Sequence, residues 1–264
     1  MSLQIERVQA ALARVNAMRP DRQNEPQQIR IGLIGRGIAA SLTPIMHETE
    51  GARLGLPYRY DLIDFDTLAL DDRELEPMIA ALQRAGFRGC NITFPFKQAV
   101  LPLLSELSGE ARAIGAVNTV VFRAGEWHGF NTDCSGFAQS FRAAFGELRP
   151  QSVMQIGAGG AGAAVAQALV ELGVVKLNIV DVDLGKARAL AEQVRCANGI
   201  DARALPPDDL AGQMDQVDGV VNASPVGMEK LPGLPLDPQL LSAQQFVVDI
   251  IYFPRETALI HEAR

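Results

Sequence analysis

Cysteine is scarce in this 264-residue chain: Cys90, Cys134 and Cys196 are the only three, widely spaced and without a CxxC pair. That excludes a disulfide framework, offers no zinc-ligand pattern, and leads to the expectation of a reducing, cytoplasmic setting with no bound metal. Basic residues are in deficit, 24 Lys and Arg against 31 Asp and Glu, for a formal net charge of −7. An affinity built on neutralising nucleic-acid phosphates is therefore not encoded. No apolar run approaches the roughly 18 residues of a spanning helix, so no membrane partner is expected. Glu6, Arg7 and Arg14 interrupt the apolar residues near the start, which argues against a secretory leader. Internal repeats and low-complexity tracts are missing too. What is present is an ordinary globular composition, 48% hydrophobic and 21% charged, long enough for one large domain or two of common size.

Ile5, Val8, Leu12 and Val15 recur at spacings of three and four, which predicts an amphipathic helix over 3–18. Polar residues 20–28 (PDRQNEPQQ) read as a linker. Strand and helix patterns alternate from there. Short β-rich runs at 29–34, 58–63, 89–93, 118–122 and 126–129 accompany helical patterns at 43–54 and 73–85, with Ala124-Gly125 between the last two strands. The second half repeats this grammar, with strands at 153–156, 176–180, 217–222 and 246–250, the last read as buried, and helices at 160–172 and 184–194. Such alternation implies parallel sheets covered by helices. The expected fold class is α/β with two α/β domains: a helix and linker (1–28), a first domain with a mostly parallel sheet (29–135), and a second, Rossmann-like domain (136–264). Residues 134–145 form the connecting helix, and a cleft is expected between the domains.

Gly157-Ala158-Gly159-Gly160-Ala161-Gly162 follows a predicted strand and opens a predicted helix. In a dinucleotide site, Gly157 allows the tight turn, Gly159 lets the backbone approach a pyrophosphate, and Gly162 lets helix and strand pack closely. The helix N-terminus adds unpaired N–H groups and the positive end of its dipole. A GxGxxG string alone also fits a plain glycine-rich turn. Here an acid follows at the right place: Asp181, ending the next strand, can accept hydrogen bonds from both ribose hydroxyls of NAD and repel a 2′-phosphate. Asp183 is the better cap for the helix after it. Lys186, one turn into that helix, could meet a phosphate, but no Arg follows the strand directly, so NAD is favoured over NADP.

The first half holds most of the polar residues that look out of place. Asn91-Ile-Thr93-Phe-Pro95-Phe-Lys97 sets an amide, a hydroxyl and a lysine past a strand end, although a loop lysine is most often solvated surface. Asn118-Thr119 and Asn131-Thr132-Asp133 add two more clusters at element ends, where parallel sheets place ligand sites. His47 and His128 stand in no Ser–His–Asp order and read as packing or capping residues.

The strings SLTPIMH (41–47), NITFPFK (91–97), GAVNT (115–119), NTD (131–133), GAGGAG (157–162), NASPVGM (222–228) and VVDIIY (247–252) together resemble the shikimate dehydrogenase family. The resemblance runs from about residue 30 to the end of the chain. It implies a two-domain enzyme, monomer or homodimer, that reversibly oxidises a ring hydroxyl of a small-molecule substrate, shikimate or quinate, to the 3-dehydro ketone. By position it implies Lys97 and Asp133 as the catalytic pair and Ser41 and Thr43 on the substrate carboxylate. Thr93, Asn118 and Asp133 would bind ring hydroxyls, Tyr252 would line the site from the second domain, and Ser224 and Gly227 would lie at the cofactor. The proposed pair makes chemical sense, because hydride can leave a carbinol carbon only as its hydroxyl proton leaves, and a lysine beside a carboxylate can relay that proton.

The chain departs from the family in places. Common members read G-x-P-x-x-H-S-x-S-P in the first loop, whereas this chain has Gly35-Arg-Gly-Ile-Ala-Ala-Ser41-Leu-Thr43-Pro44. This loop, MHETEG (46–51) and the Asp181-Val182-Asp183 triplet resemble the NAD-dependent quinate/shikimate branch, where NADP-dependent members tend to carry Asn-Arg-Thr. The family's C-terminal segment, with its substrate-touching Gln, has no counterpart after His261-Glu-Ala-Arg264 and is expected to be missing. Two alternatives follow: an NADP-dependent biosynthetic shikimate dehydrogenase, opposed by Asp181 and Asp183, and a catalytically weak NAD-binding sensor, opposed by Lys97 and Asp133.

Overall fold

Residues 2–18 and 28–264 are described by the computed structural model. All of the linker expected over 20–28 except Gln28 lies outside them. The chain divides into two compact units, one ending at Asn131 and the other beginning at Thr132.

The first unit grows outward from β1 (Ile29–Gly35), which pairs in parallel with β2 (Tyr58–Asp64) on one side and β3 (Gly89–Ile92) on the other. Its IRIGLIG run is buried towards the carboxyl end, as an inner parallel strand requires. The sheet continues through β5 (Thr119–Arg123) and β6 (Glu126–Phe130) to the two-residue β4 (Glu106–Leu107), in the order β2-β1-β3-β5-β6-β4. Only β5 runs against the others. Ala124-Gly125, with φ of +50° and +88°, makes the two-residue turn that lets β6 fold back on it. Three helices belong to this sheet: α2 (Thr43–Arg53), α3 (Leu75–Arg84) and α4 (Gly109–Ile114). Neither β4 nor α4 is foreshadowed by hydrophobic period, because both are too short to show one.

Ahead of the sheet, α1 (Ser2–Met18) packs along α3 and buries Val8, Ala11 and Val15 in the core of Ile63, Phe65, Met78 and Leu82. The buried stripe differs from the expected one: Ile5 is 40% exposed, since only the turns from Val8 onward reach the core. Polar tethers fix the helix in register. Arg7 Nη2 donates to Ala69 O (2.7 Å), Arg14 Nη2 to Thr67 O (3.2 Å), and Arg30 Nη2 bridges Asn16 Oδ1 (2.8 Å) to Asp61 Oδ2 (2.9 Å).

The second unit opens with α5 (Asp133–Phe145) and then forms an all-parallel sheet. Its strands are β7 (Ser152–Ile156), β8 (Lys176–Val180), β9 (Asp201–Leu205), β10 (Gly219–Asn222) and β11 (Phe246–Asp249), in the order β11-β10-β7-β8-β9. Helices α6 (Gly160–Glu171) and α7 (Leu184–Asn198) are the crossovers, and α8 (Ala258–Glu262) follows β11. The order reverses between β7 and β10, and sheets of this kind bind ligands at the carboxyl ends beside such a switch point. Two strands correct the sequence reading. β9 (DARAL) went without a pattern because it is an edge strand that can carry Asp201 and Arg203. β11, expected to be buried, is the opposite edge: among the described residues no strand pairs beyond it, and only Phe246 of its four residues is buried. Among the described residues no helix is long and apolar enough to cross a membrane.

Glu74 is wholly buried behind α1, with Oε2 accepting the Asp71 N–H (2.8 Å) and Oε1 facing Arg7 Nε at 3.2 Å. Removing the guanidinium leaves a carboxylate in the core without its counterion. Arg7→Ala is expected to cost about 1–2 kcal/mol, a value discounted because Arg7 is partly solvated. Glu74→Gln in the same background should recover most of it. Thermal unfolding of the single and double variants checks this; a double variant no more stable than Arg7→Ala would rule out the charge as the cause.

Candidate active site

Gly157 leaves β7 with φ +108° and donates its N–H to Val180 O (2.7 Å). A Cβ there would lie 2.6 Å from the Ala223 backbone, so both dihedral and space require glycine. At Gly162 a Cβ would sit 2.3 Å from Gly157 O, which is the close helix–strand approach. Gly159 is different. It precedes α6 in extended conformation, and a Cβ there would touch nothing within 4 Å. Packing does not demand that glycine, whereas a pyrophosphate approaching the backbone would. The turn, the helix N-terminus formed by Gly160, Ala161 and Gly162, and this open side fit a dinucleotide phosphate group.

The turn is held by Gln155, which pattern alone does not single out, and by Asp181, which it does. Gln155, fully buried in β7, donates from Nε2 to Gly157 O (2.8 Å) and Gly162 O (2.9 Å). Asp181 Oδ2 accepts the Ala158 N–H (2.7 Å) and its Oδ1 accepts the Asp183 N–H (2.9 Å). Asp183 caps α7, taking the N–H groups of Gly185 (3.0 Å) and Lys186 (3.3 Å), while the Lys186 side chain is exposed. Val182 between the two acids is 95% exposed. Beyond β10, buried Asn222 accepts from Ser224 N (3.1 Å) and Ser224 Oγ (2.7 Å), and donates to Val226 O (3.0 Å) and Asp249 Oδ1 (3.1 Å). Asp249 Oδ2 in turn accepts from Thr257 Oγ1 (2.7 Å). Ser224 therefore shapes this turn, and Gly227 (φ +112°) closes it by donating to Leu231 O (2.9 Å). Tyr252, past the end of β11, is 61% exposed.

In the first unit, the loop after β1 is held by Asp64, the last residue of β2. Its Oδ1 accepts from Gly37 N (2.9 Å) and Asp66 N (3.1 Å), and its Oδ2 from Ile38 N (3.0 Å) and Thr67 Oγ1 (3.3 Å). Arg36 clamps the outer side through Asp66 (2.7 Å), Asp72 (2.7 Å) and Leu70 O (3.0 Å), and those carboxylates raise its pKa further. The loop then delivers Ser41 and Thr43 side by side, Ser41 Oγ donating to Thr43 Oγ1 at 2.9 Å. Just past the adjoining β3, Thr93 N donates to Ile34 O (2.9 Å) and the Lys97 carbonyl accepts from Val117 N (2.8 Å). That bond ties the lysine turn to the GAVNT segment, and Asn118 N reaches Phe130 O (3.1 Å). Ser41, Thr43, Thr93, Lys97 and Asn118 are all half-buried. Asp133, also half-buried, opens α5 in the second unit. His47 stacks on Tyr60 (4.7 Å between ring centroids), and burial lowers its pKa. Among the described residues no group of three or more His, Cys, Asp or Glu side chains could hold a metal ion.

The reversed strand order and the glycine turn define a dinucleotide-binding α/β protein. Residues 33–120 match the family model of the shikimate dehydrogenase substrate binding domain, and residues 139–232 match that of shikimate/quinate 5-dehydrogenase. A shikimate dehydrogenase (NADP(+)) of Streptomyces avermitilis is 45% identical over 235 residues, 89% of this chain and 81% of that protein. A quinate/shikimate dehydrogenase (NAD(+)) of Corynebacterium glutamicum is 44% identical over 240 residues, 89% and 84% of the two. The structure of quinate dehydrogenase from C. glutamicum in complex with NAD superposes with a TM-score of 0.81 at 43% identity, covering 90% of this chain and 85% of that one. The chain belongs to the shikimate dehydrogenase family, with an N-terminal substrate-binding domain and a C-terminal Rossmann-like domain. Its cofactor class is the pyridine nucleotides.

Asp64 makes a stability prediction independent of any ligand. Asp64→Ala removes a buried carboxylate from four donors and is expected to cost about 2–3 kcal/mol. Hydrogen exchange at the Gly37 and Ile38 amides should accelerate while the Gly157–Gly162 turn is unchanged. Exchange at residues 36–40 equal to that of the parent would refute the role given to Asp64.

Proposed function

We propose that this chain catalyses the reversible NAD-dependent oxidation of a ring hydroxyl of quinate or shikimate to the 3-dehydro ketone. The observation that carries the reading is the set of half-buried hydroxyls and amides on adjoining loops at one end of the first sheet, from Ser41 and Thr43 to Thr93 and Asn118. Such groups match a polyhydroxylated carboxylate, the first two taking the carboxylate and the others ring hydroxyls. Lys97 and Asp133 act as one proton relay: as the carbinol C–H leaves as hydride, the hydroxyl proton passes to this pair. When bound, NAD supplies the hydride acceptor, and the protein's part is to hold and orient it. Gly157 to Gly162 hold the pyrophosphate, Ser224 and Gly227 shape the wall beside it, and Asp181 takes the ribose hydroxyls. Tyr252 belongs to the substrate-binding set, as the resemblance implies.

The choice of NAD rests on charge. A 2′-phosphate near Asp181 would meet that carboxylate and, two residues on, Asp183, with only Val182 exposed between them. The naming of the C. glutamicum relative as an NAD(+) enzyme supports the same choice.

Initial rates with each nucleotide and each substrate test the reading. NAD should exceed NADP in kcat/KM, and Asp181→Asn, which keeps one acceptor for the Ala158 N–H, should narrow the preference. Equal or better efficiency with NADP would sink the assignment. For the relay, Lys97→Ala should lower kcat by a factor on the order of 10² with NAD affinity little changed, and adding Asp133→Asn should do little more. Fully multiplicative losses would mean that the two groups have separate tasks.

A further inference from the structure

Asn118 sits in a closed circuit of hydrogen bonds. Tyr60 Oη donates to Asn91 Oδ1 (2.7 Å). Asn91 Nδ2 donates to Asn118 O (3.2 Å) and to Thr119 Oγ1 (2.9 Å), and Thr119 Oγ1 donates to Asn118 Oδ1 (2.9 Å).

The Asn118 carbonyl sets the direction of the bonds that Asn91 makes, and the Thr119 hydroxyl donates on to Asn118 Oδ1. A peptide carbonyl can only accept, so the end of the Asn91 amide facing Asn118 O is its nitrogen. The oxygen end then faces Tyr60 and takes the phenol proton, which burial beneath His47 keeps on the ring by raising the Tyr60 pKa. The second Asn91 proton goes to Thr119 Oγ1, whose own proton passes on to Asn118 Oδ1. With Oδ1 accepting from Thr119, the amide is held with Nδ2 as its donor end, and Nδ2 has two protons to give.

We propose that Thr119, oriented by Asn91 and Tyr60, is a positioning residue that fixes Asn118 as the hydrogen-bond donor to the oxygen of a substrate ring hydroxyl. That hydroxyl's own proton is then directed to a different acceptor. The inference rests on the reading of Asn118 as a substrate ligand, and the strands supply the geometry. Asn91 and Thr119 are directly opposed across the antiparallel β3–β5 pair, so the circuit is built into the register.

The test is steady-state kinetics with quinate or shikimate at saturating NAD, alongside NAD affinity and melting temperature. Thr119→Val keeps the side-chain shape but loses the hydroxyl. It should raise substrate KM about tenfold, the scale of one well-oriented hydrogen bond, with NAD affinity unchanged. Thr119→Ser should restore most of the loss. Should Thr119→Val fail to fold, Thr119→Ala carries the same expectation. Asn118→Asp keeps an acceptor for Thr119 but offers the ligand an acceptor in place of a donor, and it should raise KM at least as much as Asn118→Ala. Because Thr119 acts through Asn118, Thr119→Val in the Asn118→Ala background should raise KM no further. A parental KM for Thr119→Val, or a full additional loss in that background, overturns the positioning role. A well-tolerated Asn118→Asp overturns the donor assignment. A parental KM for Asn118→Ala overturns the substrate-ligand reading itself, and with it this inference.

Discussion

A strand that ends in a parallel sheet leaves backbone N–H groups without ladder partners as the chain turns away, and this molecule depends on what replaces those partners. In both units the replacement is a side chain at the end of the neighbouring strand. Asp64, ending β2, takes the Gly37 and Ile38 N–H groups of the loop that follows β1. Asp181, just past β8, takes the Ala158 N–H of the turn that follows β7. Asp249, ending β11, holds the Asn222 amide, whose oxygen then takes the Ser224 N–H after β10. Hydrogen bonds to ionised acceptors are worth about 1.5–3 kcal/mol each, against nearer 1 for neutral pairs. Burial of Asp64 is tolerable because its oxygens are met by several donors.

Holding the loops from behind has a chemical consequence. Asp64 reaches its loop from the interior while Arg36 clamps the outer side, so the Ser41–Thr43 hydroxyl pair is carried by backbone that does not have to be ordered by a ligand. Gln155 does the same for the glycine turn from within β7, and the side of Gly159 away from it stays open. Preorganisation of this kind lowers the ordering cost of binding, which otherwise subtracts directly from affinity.

The parts legible in the sequence are those whose signal is local. The GAGGAG turn announces itself because steric limits at Gly157 and Gly162 leave only one residue type. Asp183 is recognisable as a cap from its place just ahead of a helical pattern. The residues that hold the site escape because their partners are remote: Asp64 serves a loop 26 and 27 residues earlier, and Asn91 meets Thr119 across 28 positions. Sequence spacing carries no trace of such bonds until the sheet order is known. The edge strands fail for another reason. β9 bears Asp201 and Arg203 because one side of it needs no cover, and β11 has an apolar run that reads as interior although it is an edge strand of the described sheet. At α1 the three-and-four spacing is real, but which turn first touches the core depends on α3, and Ile5 falls outside that contact.

The antiparallel β5 makes sense in the same terms. In an all-parallel sheet the segment entering a strand lies at the end opposite the ligand-bearing loops. By running against its neighbours, β5 begins where β1 and β3 finish, so Asn118 and Thr119 arrive at the edge that carries Ser41, Thr43 and Thr93. The hairpin then returns β6 to that edge, where Phe130 O takes the Asn118 N–H and Asn131 Nδ2 fastens Ala116 O at 2.9 Å. The one reversed strand thus brings both the segment entering β5 and the segment leaving β6 to the same end of the sheet. The Ala124-Gly125 turn makes the β5–β6 hairpin possible, because its two positive φ values match the right-handed twist of the strands on either side.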